Sequence, residues 1–273
     1  MKKLLVVLAV LVLGSLAQAA LVAEWSFEQN LNDTATGGTV ADTLIGQVTY
    51  AGNGVYATTG QDPIYVSNGI SGYAAQIGVA TTTSTTGATY LTTTIDSADL
   101  TSGVFTMEGY FNASSVDYAY TRLLTKWVSG FTMSYHFTIH NGALEIIEKN
   151  SSGTNVTVTD DVTLAALGVE AGEWFHVAVT GDGSTLTLWL NGVAIASGAY
   201  DGTMTDSTAP FWIGGRTDMA ASSNNAFIGL VDEVRIWNEA KDAAYMQAQA
   251  AAIPEPATIA LLVLGGLGLV RRK

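Results

Sequence analysis

The chain has 273 residues, of which 11 are basic and 24 are acidic, and it contains no cysteine. The net charge of −13 disfavours binding to nucleic acid or to anionic lipid headgroups, because an acidic surface repels both. The lack of cysteine excludes disulfides, so a hydrophobic core, a bound metal or both must stabilise the fold. The length suits one sizeable core better than two domains.

Residues 1–19 predict an export signal. Lys2 and Lys3 precede an apolar run, Leu4 to Leu13, that is too short for a stable membrane span. Ala17 and Ala19 form the small-x-small pattern that signal peptidase accepts, which predicts cleavage after Ala19. Without this segment and residues 254–273, the chain keeps 6 basic and 23 acidic residues, so the mature net charge is −17.

Most of the mature chain alternates apolar and polar residues with a period of two, which is typical of half-buried antiparallel strands. The longest example, Phe131 to His140, places Phe137 and Ile139 on the face opposite to His136 and His140. The same alternation is present in Leu21 to Phe27, Phe105 to Phe111 and Leu186 to Leu190. The residues predicted to point inward are Trp25, Phe105, Met107, Phe137, Leu188 and Ile236.

Turn residues separate these strands. Asn141-Gly142 and Asn191-Gly192 favour the positive φ angles of tight hairpin turns, and Asp182-Gly183 marks a third turn. The Thr- and Gly-rich stretch at about 37–94 predicts mainly loop between strands, and helical pattern is present only near Asp242 to Ala252. The sequence therefore predicts an all-β fold, a single two-sheet antiparallel sandwich of the jelly-roll type over residues 20–250.

Residues 251–273 carry a second export feature. Pro254, Glu255 and Pro256 precede an uncharged stretch, Ala257 to Val270, and the basic end Arg271, Arg272 and Lys273. As a helix this stretch would reach only about 21 Å, short of the roughly 30 Å of bilayer hydrocarbon. The basic end would stay on the cytoplasmic side, which leaves the folded part outside. An ordinary tail anchor would share these properties.

The three elements of this tail, in this order, resemble the PEP-CTERM sorting signal. The resemblance implies recognition by exosortase, a membrane protease-transpeptidase that removes the tail at the motif. The protein would then pass to the cell envelope or the extracellular matrix, after transient membrane anchoring through its C-terminus.

A second resemblance spans about residues 21–245. Its blocks are Glu24 to Glu28, Val104 to Phe111, Gly172 to Thr180, Leu186 to Gly192, Phe211 to Gly215 and Gly229 to Trp237. In this order they resemble the strands of a laminin-G-like, concanavalin-like jelly-roll domain. The resemblance implies a module that binds carbohydrate or protein, often with structural calcium and usually without catalysis.

By this resemblance, Asp232 in the last strand and Asp33 in the opening loop are the expected calcium ligands. Calcium takes carboxylate and backbone oxygens, which suits an acidic domain without disulfides. Asp232 also alternates with Leu230 and Val234, so the sequence equally allows a buried carboxylate that is held by hydrogen bonds.

The acidic residues lack the spacing of a glycosidase pair, which needs two carboxylates on one strand face. Glu145 and Glu148 lie three positions apart, so we expect them on opposite faces. Adjacent Asp232 and Glu233 also diverge. The pair at 160–161, two aspartates, falls in a predicted loop.

The histidines and the known nucleophile motifs give no stronger indication of catalysis. His136 and His140 would be about 13 Å apart at about 3.4 Å per residue, too far to share a metal directly. His176 is interpreted as a packing or hydrogen-bonding residue. The sequence contains no nucleophile elbow, phosphate-binding loop or zinc motif.

Three functions remain open at this point. The first is a non-catalytic binding module for an extracellular polysaccharide or a surface protein, the second a purely structural matrix component, and the third a glycoside hydrolase whose carboxylates converge in space. A carbohydrate-binding module would use exposed aromatic residues to stack on sugar rings. The candidates are Trp127, Trp189, Trp212 and Tyr110. Signal peptidase and exosortase are the expected processing partners.

Overall fold

The structure is a computed structural model, and it describes residues 20–35, 44–50, 56–58, 63–78, 87–93, 100–117, 119–127, 132–215 and 227–254. These residues form strands and one short helix. In chain order they are β1 (Leu21–Trp25), β2 (Leu44–Tyr50), β3 (Tyr56–Thr58), β4 (Ile64–Val66), β5 (Ala74–Ile77), β6 (Gly87–Thr93), β7 (Val104–Ala113), β8 (Tyr120–Trp127), β9 (Met133–His140), β10 (Ala143–Lys149), β11 (Asn155–Thr159), β12 (Trp174–Asp182), β13 (Thr185–Leu190), β14 (Val193–Ala199), β15 (Phe211–Ile213), β16 (Gly229–Trp237) and α1 (Ala243–Ala250).

The strands form two antiparallel sheets, as the alternation predicts. Sheet A has the order β14-β13-β12-β7-β16-β5-β4, and β1 also pairs with β16. Sheet B has the order β11-β10-β9-β8-β15-β6-β2-β3. The last strand, β16, thus lies in the middle of sheet A, where it pairs with β7 on one side and with both β5 and β1 on the other.

The core lies between the two sheets, because alternate residues of each strand point inward. The six residues predicted to point inward are all at most 2% exposed, which confirms the predicted phase of their strands. The ring of Trp25 on β1 stacks on Phe211 of β15 at a centroid distance of 5.2 Å, so aromatic contacts join the sheets.

The predicted turns are confirmed. Asn141-Gly142 connects β9 to β10 and Asn191-Gly192 connects β13 to β14, and all four residues have φ between 46° and 79°. Asparagine and glycine tolerate this left-handed conformation, which other residues adopt at a steric cost. Gly183, with φ of 94°, lies in the turn between β12 and β13.

Helix α1 is close to the helical segment that the sequence predicts. Asp242 caps its N-terminus, where the carboxylate accepts a hydrogen bond from the backbone N–H of Tyr245 at 2.9 Å. The helix packs on the outer face of sheet A, the face that points away from the core, where it contacts β12 and β14.

Candidate functional site

The outer face of sheet B carries aromatic and polar side chains instead of the usual short polar ones. Antiparallel pairing places Tyr120 of β8 opposite His140 of β9, and Thr125 opposite His136. Residues directly opposite each other share a face, so Tyr120, His136 and His140 lie together. Glu145 of β10 belongs to the same face, since it pairs with Thr138 of β9.

These side chains form a ring cluster, which consists of Tyr120, Arg122, Trp127, His136 and His140. The Tyr120 ring stacks on His136 with centroids 5.3 Å apart, and it contacts the ring of His140 at 4.6 Å. Trp127 meets His136 edge-on at 4.7 Å. The Arg122 guanidinium lies 4.8 Å from the Tyr120 centroid, within cation–π range. Such contacts hold the rings in fixed orientations.

Glu145 orients one end of the ring cluster. Its Oε2 lies 3.1 Å from His140 Nδ1 and accepts a hydrogen bond from Thr159 Oγ1 at 3.0 Å. The Tyr120 hydroxyl donates to Oε1 at 3.4 Å. When His140 Nδ1 carries the proton that faces Glu145, Nε2 of the ring is a hydrogen-bond acceptor for a ligand.

The ring cluster is only partly open to solvent. His140 keeps 36% of its side chain exposed, and Tyr120 and Trp127 are half-buried. Arg122 and His136 are buried. A ligand would therefore meet the partly exposed side chains of Tyr120, Trp127 and His140, with the buried Arg122 and His136 behind them.

The other aromatic residues proposed for sugar stacking lie elsewhere. Trp212 and Tyr110 are buried, so neither offers a ring face to a ligand. Trp189 is half-buried on sheet A, where its Nε1 donates to Thr180 Oγ1 at 3.0 Å. Of the four candidates, only Trp127 belongs to the ring cluster.

A second polar cluster lies on the outer face of sheet A beneath α1. Glu108 of β7 is fully buried, and its Oε2 lies 3.1 Å from Nε2 of His176 on β12. Its Oε1 accepts hydrogen bonds from the Tyr245 hydroxyl of α1 and from Nε1 of Trp237, the latter at 3.2 Å. Burial acts to raise the pKa of Glu108, but the partners, His176 first, outweigh it and leave the pKa lowered.

This cluster contains the residues that the sequence analysis missed. His176 does make a hydrogen bond, as predicted, but Glu108 and Tyr245 were not singled out. Alternation alone puts Glu108 on the outer face, where a carboxylate is normally solvated. The contact between Glu108 and Tyr245 spans 137 residues, so no local pattern could reveal it.

Asp232 and Asp33, the expected calcium ligands, accept hydrogen bonds from different backbone segments. Asp232 is fully buried, and its Oδ2 accepts from the N–H of Ile70 at 2.7 Å and of Ser71 at 3.3 Å. Burial raises the pKa of Asp232 to about 7 in spite of these bonds. Asp33 Oδ1 accepts from the N–H of Glu24 at 2.9 Å.

These contacts match the alternative in which Asp232 is a hydrogen-bonded buried carboxylate. Within the described ranges, no group of three or more acidic or histidine side chains is placed to hold a metal ion. A calcium shell takes six to eight oxygens, which also come from backbone carbonyls and water. Calcium binding at Asp232 and Asp33 stays a prediction.

The carboxylates considered for glycosidase chemistry lie in three places. Asp232 and Glu233 lie at a β-bulge of β16, where Glu233 has a φ of 49°, so the simple alternation that would make them diverge does not hold there. Glu145 and Glu148 lie on opposite faces of β10, as expected: Glu145 belongs to the outer face and Glu148 to the inner face with Leu144 and Ile146. Asp160 is buried and accepts a hydrogen bond from the N–H of Val162. The positions of Glu145, Glu148 and Asp160 give no support to a catalytic pair.

The processing residues lie almost entirely outside the described residues. This holds for Ala17 and Ala19 of the signal and for Glu255, Pro256, Arg271 and Arg272 of the tail. Pro254 is described and exposed, directly after the turn that follows α1. In the part of the chain that the structure describes, no helix combines the length and the apolar character that a membrane crossing requires.

Comparison with known families agrees with this fold. Residues 83–245 match the family model described as Concanavalin A-like lectin/glucanases superfamily. The chain belongs to this superfamily. Residues 252–273 of this concanavalin-like protein match the PEP-CTERM protein-sorting motif, which implies export and association with the cell surface. No curated protein matches the chain in sequence.

Solved structures share the concanavalin-like fold at low sequence identity. Domain 4 of AbnA, a GH43 extracellular arabinanase from Geobacillus stearothermophilus in complex with arabinotriose, aligns with a TM-score of 0.60 and 20% identity, over 85% of this chain and 98% of that domain. The binding domain of Botulinum Neurotoxin DC in complex with SialylT aligns with a TM-score of 0.59 and 9% identity, over 87% of this chain and 52% of the toxin domain.

The binding domain of Paraclostridial Mosquitocidal Protein 1 aligns with a TM-score of 0.53 and 12% identity, over 76% of this chain and 51% of that domain. The chain thus spans about half the length of these two toxin domains. At such identities the likeness shows the fold alone.

Proposed function

We propose that this protein is a carbohydrate-binding module, displayed on the cell surface, that binds a polysaccharide at the ring cluster of sheet B. The observation that carries the proposal is the set of half-buried rings, Tyr120, Trp127 and His140, beside the fixed carboxylate of Glu145. Sugar rings stack on aromatic faces while their hydroxyls need well-placed donors and acceptors. The ring cluster offers both kinds of group.

Two of the similar structures support a carbohydrate ligand. The AbnA domain is in complex with arabinotriose, and the Botulinum Neurotoxin DC binding domain is in complex with SialylT. Binding without hydrolysis is favoured because Glu145 and Glu148, the nearest candidates for a catalytic pair, point to opposite sides of β10. Export places the module where it meets extracellular polysaccharides.

The proposal is tested by calorimetric titration of the exported protein with arabinotriose and with a panel of neutral and acidic polysaccharides. For a ligand that binds, we expect Trp127→Ala to weaken the affinity about tenfold, the effect of losing roughly 1–1.5 kcal/mol of stacking. Trp189→Ala is the matched control, because it removes the same ring from the outer face of sheet A. Its affinity should equal that of the wild type.

Two results would contradict the proposal. An equal loss of affinity in the Trp127 and Trp189 variants would mean either that the ligand binds elsewhere or that both variants have lost their fold. Circular dichroism distinguishes these two cases. If no member of the panel binds to the correctly folded wild type, the purely structural role in the matrix becomes the better interpretation.

A further inference from the structure

The folded domain continues to the residue directly before the sorting motif. After α1 the chain keeps helix-like hydrogen bonds: Ala251 N–H donates to Gln247 at 3.1 Å, and Ile253 N–H donates to Ala250 at 3.2 Å. The next residue is Pro254, the first residue of the motif. No flexible linker therefore separates the docked helix from the segment that exosortase is expected to process.

Helix α1 depends on sheet A for its order. It has only eight residues, and isolated helices of that length are unstable in water. Met246 is its one buried side chain, and the ring of Tyr245 meets Trp237 edge-on at 5.9 Å. Polar contacts add to this packing, chiefly the hydrogen bond from Tyr245 to the buried Glu108.

The last turn of α1 has its own attachment to sheet A. The Tyr110 hydroxyl of β7 donates to the backbone oxygen of Gln249 at 2.8 Å and approaches the side-chain Oε1 at 3.0 Å. The same carbonyl also accepts a hydrogen bond from the backbone N–H of Ala252 at 3.0 Å, so the Tyr110 hydroxyl is its second donor. Arg235 Nη1 reaches the same Oε1 at 3.4 Å. These contacts all involve Gln249, five positions before Pro254.

The turn between β13 and β14 packs tightly against this end of the helix. A Cβ atom placed on Gly192 would lie 3.0 Å from the Cα of Gln247 and 3.1 Å from the Cβ of Ala250. Such distances would force the helix to shift by a few tenths of an ångström, and the φ of 79° also favours glycine at this position. The last turn is therefore held from two sides.

A membrane enzyme cannot easily reach a peptide bond that directly follows a docked helix. Cleavage generally takes place in chain that is locally unfolded and extended around the scissile bond. The eight residues of α1 span about 12 Å as a helix and about 27 Å when extended, so unwinding gives the motif about 15 Å of extra reach.

We propose that α1 is a conformational gate for C-terminal processing: the helix must leave sheet A before exosortase can act on the adjoining motif. The contacts of Tyr110 and Tyr245 then set how often the gate opens. Glu108 and Tyr110 both lie on β7, which pairs with β12 on one side and β16 on the other, so the gate links the rate of tail removal to the folded state of this part of sheet A.

The test measures how fast the full precursor loses its tail in a pulse-chase experiment, in a host that encodes an exosortase. Tyr110→Phe and Tyr245→Phe each remove one hydroxyl that holds α1. We expect tail removal to be about two- to tenfold faster for Tyr110→Phe, whose hydroxyl donates to a neutral carbonyl. The effect of Tyr245→Phe should exceed about tenfold, because that hydroxyl donates to the Glu108 carboxylate. Hydrogen exchange of residues 243–253 should rise by a similar factor, while the strands keep their protection.

Tyr200→Phe is the matched control, because it removes a buried hydroxyl from the sandwich and not from the contacts of α1. It should leave the rate of tail removal unchanged. Inserting ten Gly/Ser residues between Ile253 and Pro254 supplies the missing linker, and it should speed up processing and abolish the effect of both tyrosine variants.

Three outcomes would overturn the gate. In the first, both tyrosine variants exchange faster but lose the tail at the wild-type rate. In the second, the inserted linker changes nothing. In the third, no form of the chain loses its tail, which would remove the processing step itself while leaving the polysaccharide proposal untouched.

Discussion

Glu108 and Glu148 are both fully buried, yet their surroundings are opposite. Glu108 accepts hydrogen bonds from Tyr245 and Trp237 and pairs with His176, and its pKa is lowered. Glu148 lies inside the sandwich, and within the described part of the chain neither of its carboxylate oxygens has a hydrogen-bond partner. Burial, with a smaller contribution from Asp201, raises its pKa to about 8.

Hydrogen-bond partners and nearby charges, and not depth of burial, decide whether a buried carboxyl group of this protein is ionised. A carboxylate without partners loses its solvation and becomes protonated, while donors and a nearby positive charge keep the ionised form stable. Glu108 therefore stabilises α1 as an anion. Glu148 is mainly a neutral acid at pH 7 that costs stability, and Tyr200 beside it also has a buried hydroxyl without a described partner.

The largest effect is expected when Glu108 loses its side chain. Glu108→Ala leaves His176, Tyr245 and Trp237 without their common acceptor, and breaking a buried pair in this way typically costs about 3–5 kcal/mol. The free energy of unfolding in urea measures the loss. Glu108→Gln keeps an acceptor oxygen and should lose clearly less, and equal losses in both variants would show that shape, not hydrogen bonding, matters here.

Asp232 is an intermediate case, since amide N–H groups alone hold its carboxylate. Its Oδ2 accepts from Ile70 and Ser71 and its Oδ1 from the N–H of Glu233, so the NH2 group of an asparagine must face one of these donors. We therefore expect Asp232→Asn to destabilise the domain by about 2 kcal/mol. Urea unfolding at pH 8, where the carboxyl group is mostly ionised, gives the value. An unchanged stability would mean that these bonds contribute nothing net.

The calcium prediction is tested on the same pair of proteins. A calcium ion bound by Asp232 and Asp33 predicts a higher melting temperature in calcium than in magnesium at equal ionic strength, and Asp232→Asn should remove the difference. Binding at a hundredfold excess over the dissociation constant stabilises by about 2.7 kcal/mol. Equal responses to the two ions would leave the amide hydrogen bonds as the whole role of Asp232.

Replacing Glu148 should have the opposite sign to the Glu108 variants. Glu148→Met fills a similar volume without a polar atom, so we expect a gain of about 1–2 kcal/mol at pH 7, the cost of a buried group without partners. The measurement is again urea unfolding. A loss of stability would instead show that a hydrogen-bond partner, such as a buried water molecule, stabilises the carboxyl group of Glu148.

The pH dependence of stability gives the finest test. The pKa of Glu148 in the folded protein, about 8, lies above its ordinary value of 4.5. The contribution of its protonation to the free energy of unfolding is therefore fully present below pH 4.5 and is lost as the pH rises through 8. The slope from this one group is at most about 1.4 kcal/mol per pH unit. Glu148→Gln should flatten the curve between pH 5 and pH 8, whereas an unchanged slope would assign it to other groups such as Asp232.

The sequence predicts the sheets better than it predicts the polar clusters. Alternation placed Phe137 inside and His136 on the outer face correctly, because one strand contains all the information on its own phase. It also aligned Glu148 with Leu144 and Ile146, but the usual preference of acids for solvent hid this signal. The contacts of Glu108 arise from α1, far along the chain, so alternation could not reveal them.

The position of β16 has a consequence for the order of events during export. Leu21, the second residue after the predicted signal, pairs with Trp237 near the end of the domain, and β16 also separates β7 from β5. Sheet A therefore cannot close until nearly the whole domain has crossed the membrane. Sheets built on such distant pairings fold slowly and expose unpaired edges meanwhile. A chain that stalls in translocation before β16 emerges would present these edges to proteases and to neighbouring chains.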